Sequence, residues 1–305
     1  MKDSAFFDGN LSPTKLFGSD STKVKENYIA LLKTWHPDLC KDPKASEVTQ
    51  KIQEAYDLFK RYGLYLVKRP HELGSYILYP DYVVYAVEES KKSLIDMSKL
   101  LLVNNYPNTK FETEFTKYIP KNSAISNTLE PAILISMTSR AVPLRDVIFS
   151  YDGKIPVRHV GWILNSIFNT LTYLHKVKNT TFVGLTIDNI FVVPDKHWAL
   201  FVGGWWHATT DKIKSAPREN YALGASKEGF DVRCAKALGL QLLGDRNGVS
   251  LWKDKDIPQN ILLWLMGSAQ SDPLDAMKSW KNALRASFGE PKFVSMDLDR
   301  SKLYL

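Results

Sequence analysis

The sequence predicts an α+β protein in which a short all-α segment precedes a strand-rich lobe and then a helix-rich lobe. Three observations carry this reading. Apolar residues recur at helical spacing in two stretches of the first 63 residues. Between 64 and 140 the chain turns to Tyr- and Val-rich runs, which suit half-buried strands. From 141 onward long helical stripes return, broken by two short apolar runs. A chain of 305 residues has the length of two domains. The expected division is 1–63 and 64–305, the second part with its lobes at 64–140 and 141–305.

Composition narrows the function classes. Hydrophobic residues are 44% and charged residues 24%, ordinary for a globular chain and unlike a disordered one. Two cysteines, Cys40 and Cys234, exclude a disulfide scaffold and a four-cysteine zinc ribbon. No apolar run approaches the roughly 18 residues of a membrane helix, and the first ten residues lack the apolar core of a signal peptide. A soluble, cytoplasmic protein without membrane contact is expected. The net charge of +7 is mild and is not gathered in residues 1–63, so it reads as a solubility feature. A nucleic-acid partner is the less favoured reading of it.

The elements follow in order. Residues 1–18 are mixed, with Pro13 and Gly18 breaking any pattern. Tyr28, Leu31, Leu32 and Trp35 fall at i, i+3, i+4 and i+7 and predict a helix over 22–35, capped by Asp20 or Ser21. Pro37 disfavours helix at the residue before it. Asp42 and Pro43 form a cap and first-turn pair for a second helix, with Val48, Ile52, Ala55, Tyr56 and Phe59 on one stripe and Gly63 at its end. Strand-like runs follow at 65–69, 75–79 and 81–89, then a helix at 91–103 and strands around 110–118 and 132–137. Ile163, Leu164, Ile167, Phe168, Leu171 and Leu174 mark a long buried helix. Short strands at 190–193 and 198–202 precede helices at 232–243, 260–268 and 272–287.

His36-Pro37-Asp38 lies between two amphipathic helices that can pack as an antiparallel hairpin. The run from Tyr28 to Asp38, with Glu54-Ala55-Tyr56 in the helix beyond, resembles the J-domain family over about residues 12–63. The plain alternative is a structural hairpin with a polar loop. The resemblance implies a co-chaperone that presents this loop to a DnaK-type heat-shock chaperone and stimulates its ATP hydrolysis. Asp38 would then offer an acceptor-only carboxylate to a chaperone arginine. Pro37 would fix the loop, and His36 would orient its neighbours. Lys25 and Lys33 would meet an acidic partner face through screened, rate-steering contacts. Where the family often has two basic residues after the tyrosine, Ile29-Ala30 stands here, which thins the basic face. His36 has no second metal ligand at a suitable spacing.

Residues 70–290 resemble the protein kinase fold, with an unrelated α+β domain as the alternative. The carriers are Leu171-Thr-Tyr-Leu-His175, Asp188-Asn189-Ile190-Phe191-Val192, Ala199-Leu-Phe-Val-Gly-Gly204, Ala216-Pro217 and Asp231-Val232-Arg233. Phosphoryl transfer needs a glycine-rich loop, a strand lysine, a catalytic Asp and Asn, and a metal-holding Asp. Here the glycine loop is reduced to Gly74, Glu88 stands at the lysine position and Gly184 at the base position. Val202 stands at the metal position, and Asn189 alone survives. The resemblance therefore implies a pseudokinase with no catalytic residue, metal or cofactor. The leading expectation is an adaptor: the hairpin recruits the chaperone and the body binds an unidentified client or complex. The rivals are an atypical kinase or phosphotransferase using acids such as Asp188, and a structural or nucleic-acid-associated protein with the hairpin as a recruitment tag. Trp205 and Trp206 read as core or lobe-interface residues rather than a client surface.

Overall fold

The computed structural model describes residues 4–8, 11–95, 103–120, 123–126, 131–137, 141–224 and 226–304. Within them the chain is a mixed α+β protein built on two separate hydrophobic cores.

The first core belongs to three helices. The Ser12 hydroxyl accepts from the Lys15 amide at 3.3 Å, and Pro13 takes the first position of helix α1 (Pro13–Phe17). This helix leaves no periodic pattern to read, because five residues are too few to repeat an apolar stripe. Helices α2 (Val24–Trp35) and α3 (Ala45–Tyr62) match the predicted pair, but their N-caps, Lys23 and Lys44, lie two to three residues beyond the proposed ones. Asp20 accepts from the Thr22 amide at 2.9 Å and hydroxyl at 2.6 Å, and Asp42 accepts from the Lys44 amide at 2.9 Å. Each carboxylate closes a turn ahead of its helix, a use that competes with capping. Phe7, Phe17, Val24, Trp35, Val48 and Ile52 are buried between the helices. Tyr28 stacks on Tyr56 at 3.9 Å between ring centres, with Phe17 edge-on to both at 6.2 Å. Such pairs contribute about 0.5–1.5 kcal/mol beyond their burial. The Asn27 side chain donates to the Phe17 carbonyl at 2.8 Å, and Thr49 Oγ1 donates to the Trp35 carbonyl at 2.7 Å. The second bond satisfies a carbonyl left open at the end of α2 and fastens α3 to the start of the loop.

The second core runs from Val67 to Met296. Strands β1 (Val67–His71), β2 (Gly74–Leu78), β3 (Tyr82–Val87), β4 (Ser123–Ser126) and β5 (Ala132–Ser136) form an antiparallel sheet in the order β1-β2-β3-β5-β4. In β3, Val83, Tyr85 and Val87 point to the core in strict alternation. The helix expected over 91–103 appears as a 3-10 segment, Glu89–Leu94, and residues 96–102 lie outside the described residues. The strand expected over 110–118 is a correction: it is helix α4 (Thr109–Phe115), followed by a turn. Asn108 Oδ1 caps it, accepting from the Lys110 amide at 3.1 Å and the Phe111 amide at 3.2 Å. Phe111 and Phe115 stand four apart, a spacing that strand and helix periods share. The cap decides between them, and both rings pack on Tyr173.

The helix-rich part opens with β6 (Val142–Pro143) and α5 (Leu144–Ser150), neither visible in the sequence pattern. Helix α6 (Val157–Lys178) buries the predicted apolar stripe. Strands β7 (Ile190–Val193) and β8 (Trp198–Phe201) join β6 in a three-stranded antiparallel sheet. Helices α7 (Phe230–Leu242), α8 (Gln259–Met266) and α9 (Pro273–Phe288) complete it. The three-helix unit meets the sheet at the end of α3, where the Tyr62 carbonyl accepts from the Tyr79 hydroxyl at 2.7 Å. No described helix is long and apolar enough to cross a membrane.

Candidate functional site

The loop between α2 and α3 forms an outward tip. His36 ends α2 in an extended conformation (φ −58°, ψ 130°), the geometry that a following proline enforces. Its carbonyl accepts from the amides of Leu39 at 2.9 Å and Cys40 at 2.8 Å, and its Nδ1 accepts from the Asp38 amide at 3.2 Å. An accepting Nδ1 leaves the neutral ring's proton on Nε2. The ring therefore braces the backbone of Asp38, whose carboxylate is 86% exposed. Pro37 and Leu39 are exposed beside it. Lys25, Ile29 and Lys33 stand four apart on one exposed face of α2, and neither lysine forms an ion pair among the described residues. The tip thus presents an acceptor-only anion on a braced loop next to unpaired cations. Such a group can receive a guanidinium, but nothing in the loop pairs a nucleophile with a base.

A second constellation lies where the two sheets and the helices meet. The turn joining β1 to β2 turns its side chains inward, His71 and Glu72 half-buried. Glu72 Oε1 accepts from Trp206 Nε1 at 2.8 Å, and Glu72 Oε2 lies 3.1 Å from His207 Nε2. Leu73 is fully buried. His71 Nδ1 accepts from the Leu73 amide at 3.2 Å, so Nε2 carries the proton toward Asn189 Oδ1 at 3.3 Å. The His71 ring lies against Tyr85 at 4.8 Å and edge-on to Trp206 at 5.5 Å. Burial pushes the His71 imidazole below its ordinary range. Burial pushes Glu72 upward, but the bonds and charges of His207, with His71 and Trp206, outweigh it and hold the carboxyl below its ordinary range. On the other side of this turn, Arg69 forms a forked pair with buried Asp146, at 2.5 and 3.1 Å. Sheet and helices are therefore held together on both flanks, with the turn's own side chains filling the space between.

The loop that leads into β7 is built by main chain. Asp231, fully buried in the first turn of α7, accepts from the amides of Phe182 at 2.7 Å and Val183 at 2.8 Å, with His175 Nε2 at 2.8 Å. Val183 has φ +65°, and the Gly184 amide donates to the Phe182 carbonyl at 2.7 Å. This is a γ-turn with a β-branched residue in the left-handed region, a strained form. The carboxylate of Asp231 holds it from behind. Gly184 then meets Gly204: a Cβ on Gly184 would lie 2.5 Å from the Gly204 carbonyl oxygen.

Gly184, Asn189 and Val202 come together: Asn189 Nδ2 donates to the Gly184 carbonyl at 3.0 Å, and the Val202 amide donates to the Asn189 carbonyl at 3.0 Å. Glu88 stands apart, largely exposed and paired with Lys91 at 2.8 Å. Asp188 is held in a forked pair by Arg145, at 2.5 and 2.6 Å. Trp205 and Trp206 are buried, and Trp206 joins the sheet to the helices. His71, Glu72 and His207 escaped sequence reading, since partners some 135 residues apart leave no local pattern. The sole hint was two titratable residues just ahead of Gly74. Among the described residues no cluster of His, Cys, Asp or Glu could hold a metal ion. No protein-family model matches the chain, and no curated protein sequence matches it.

Proposed function

We propose that this protein is an adaptor of the J-domain co-chaperone type. Its hairpin recruits a DnaK-type chaperone and stimulates that chaperone's ATP hydrolysis, while residues 64–305 serve as a kinase-like but catalytically inactive scaffold for a client or complex, in the cytoplasm. The observation that carries the reading is the exposed Asp38 carboxylate on a tip braced by His36 and by the packed α2–α3 pair. A group meant for a partner's arginine has to be outside, anionic and pre-positioned, and this one is all three.

The inactive reading of the body rests on space and on commitments already made. The base position is a glycine pressed against main chain. Asn189 spends its amide on Gly184 and its carbonyl oxygen on His71. Asp188, the acid a phosphotransferase reading would use, is taken by Arg145. On the kinase-like reading phosphates would enter beside Gly74, and the turn there carries Glu72, a carboxylate held by Trp206 and His207. The test is capture of a DnaK-type chaperone in its ATP state by the full chain and by Asp38→Asn. Capture by the full chain alone supports the reading; equal capture by both removes it.

A further inference from the structure

A groove of about 510 Å³ runs between α6, α9 and the extended segment after Phe288. It lies away from the tip and from the β1–β2 turn, and the adaptor reading does not use it. Its wall is a stack of three rings. Trp162 lies flat on His197 at 4.5 Å and 1°, and His197 lies flat on Phe293 at 4.1 Å and 9°. His197 Nε2 donates to the Val294 carbonyl at 3.0 Å, which pins the segment to the helices. Phe293 ends the stack and is 69% exposed, so its outer face is open.

The charge of the groove is one-sided. Arg158, Lys281, Arg285 and Lys292 line it against a single carboxylate, Glu290. None of the four cations has an ion-pair or hydrogen-bond partner among the described residues, although the Arg158 guanidinium lies over the Phe288 ring at 4.4 Å. Three other lysines of the same body do carry a carboxylate: Lys154 with Asp254, Lys176 with Asp272, Lys302 with Asp152. Lys281 and Arg285 stand one turn apart on α9, about 6 Å along the axis. The Oδ1 of Asn165, also in the lining, is buried with no hydrogen-bond partner among the described residues. An open ring face, a row of cations without carboxylate partners among the described residues and an unsatisfied amide oxygen ask for a ligand with a flat ring, repeated negative charge and an N–H donor.

We propose that this groove binds single-stranded nucleic acid. One base extends the Trp162–His197–Phe293 stack, successive phosphates lie on Lys281, Arg285, Lys292 and Arg158, and a base amine or imine N–H donates to Asn165 Oδ1. Stacking on an aromatic face accepts any base, so the site reads strand rather than sequence. An acidic peptide would use the cations but leave the ring stack idle. The mild charge of the whole chain gave no such signal, because the cations are brought together by α6, α9 and the segment that follows.

The test is fluorescence anisotropy of a labelled oligothymidylate of about 12 nucleotides with the full chain, at salt between about 50 and 200 mM. Binding that weakens with salt is expected. Lys281→Gln with Arg285→Gln should lower the slope of log affinity against log salt by roughly 1.4, at about 0.7 per lost phosphate contact on a single strand. Phe293→Ala should weaken binding about tenfold with the slope retained, since it removes stacking and no charge. Lys212→Gln with Lys214→Gln, on another exposed segment, should change neither. All these side chains are exposed, so folding is not at issue. The proposal is overturned by absence of binding at low salt, by a Phe293→Ala variant that binds like the wild type, or by polyglutamate displacing the oligonucleotide as readily as unlabelled strand does.

Discussion

Gly184 and Gly204 approach so closely that neither leaves the other room for a side chain. A Cβ on Gly184 would sit 2.5 Å from the Gly204 carbonyl oxygen, and one on Gly204 would sit 2.7 Å from the Gly184 oxygen. Backbone cannot yield as a flexible side-chain end can. Replacing Gly184 with Asp, the residue a phosphoryl-transfer base would require, should therefore separate the two loops rather than create activity. The expected loss is about 3 kcal/mol or more, since overpacking adds to the burial of an unpaired charge. Urea unfolding of Gly184→Asp reads it, and a variant as stable as wild type contradicts the packing described.

The contacts of His71 and Glu72 make the closure of the sheet onto the helices sensitive to acid. Burial depresses the His71 imidazole, so the folded protein resists a proton that the unfolded chain takes up below about pH 6.5. Its contribution is thus complete above that pH and is lost as pH falls toward the folded value. Glu72, also depressed, acts in the same direction lower down, from about pH 4.3. The urea midpoint should fall between about pH 7.5 and 5.5, and His71→Gln should flatten part of that fall. An identical pH profile for wild type and His71→Gln would count against it.

Asp231 holds a backbone conformation that would not hold itself. A left-handed valine costs about 1–3 kcal/mol, and Asp231 offsets this by accepting from the Phe182 and Val183 amides. Asp231→Ala leaves two buried amides and His175 without their partner, and a loss of about 3–5 kcal/mol is expected. Val183→Gly, which removes the φ penalty but also a buried side chain, should cost less than Asp231→Ala. Chemical denaturation of both variants decides the order; the reverse order would show that the carboxylate does not carry the turn.

Tyr85 supplies a prediction of the opposite sign. Its hydroxyl is buried without a hydrogen-bond partner among the described residues, beside Gly203. An unsatisfied buried hydroxyl costs about 1–3 kcal/mol. Tyr85→Phe keeps the ring contacts with His71 and Trp206 and removes that cost. The thermal midpoint should stay level or rise; a drop of several degrees would mean that the hydroxyl has a partner after all.

The α2–α3 pair, the first three strands and the helices from α6 onward are legible in the sequence, because each carries a long apolar stripe or a clear alternation. Elements α1, β4, α5 and β6 are not, being too short to repeat a period. Helix α4 reads as a strand because Phe111 and Phe115 fit both periods and only the Asn108 cap separates them. The exposed tip was legible, since a proline between two amphipathic stripes has to turn outward. The filled space between sheet and helices was not. Glu72 meets Trp206 and His207, and Arg145 meets Asp188, only through tertiary packing.

Asp38 is the residue proposed to engage a DnaK-type ATPase. Asp38→Asn keeps the shape of an exposed side chain and removes its charge, so stability should move by no more than about 0.5 kcal/mol. The direct measurement is the steady-state ATP hydrolysis rate of a DnaK-type chaperone with the full chain or with Asp38→Asn. The full chain should raise the rate and Asp38→Asn should leave it at its basal level, both proteins being equally folded. Equal stimulation by the two, or none by either, contradicts it.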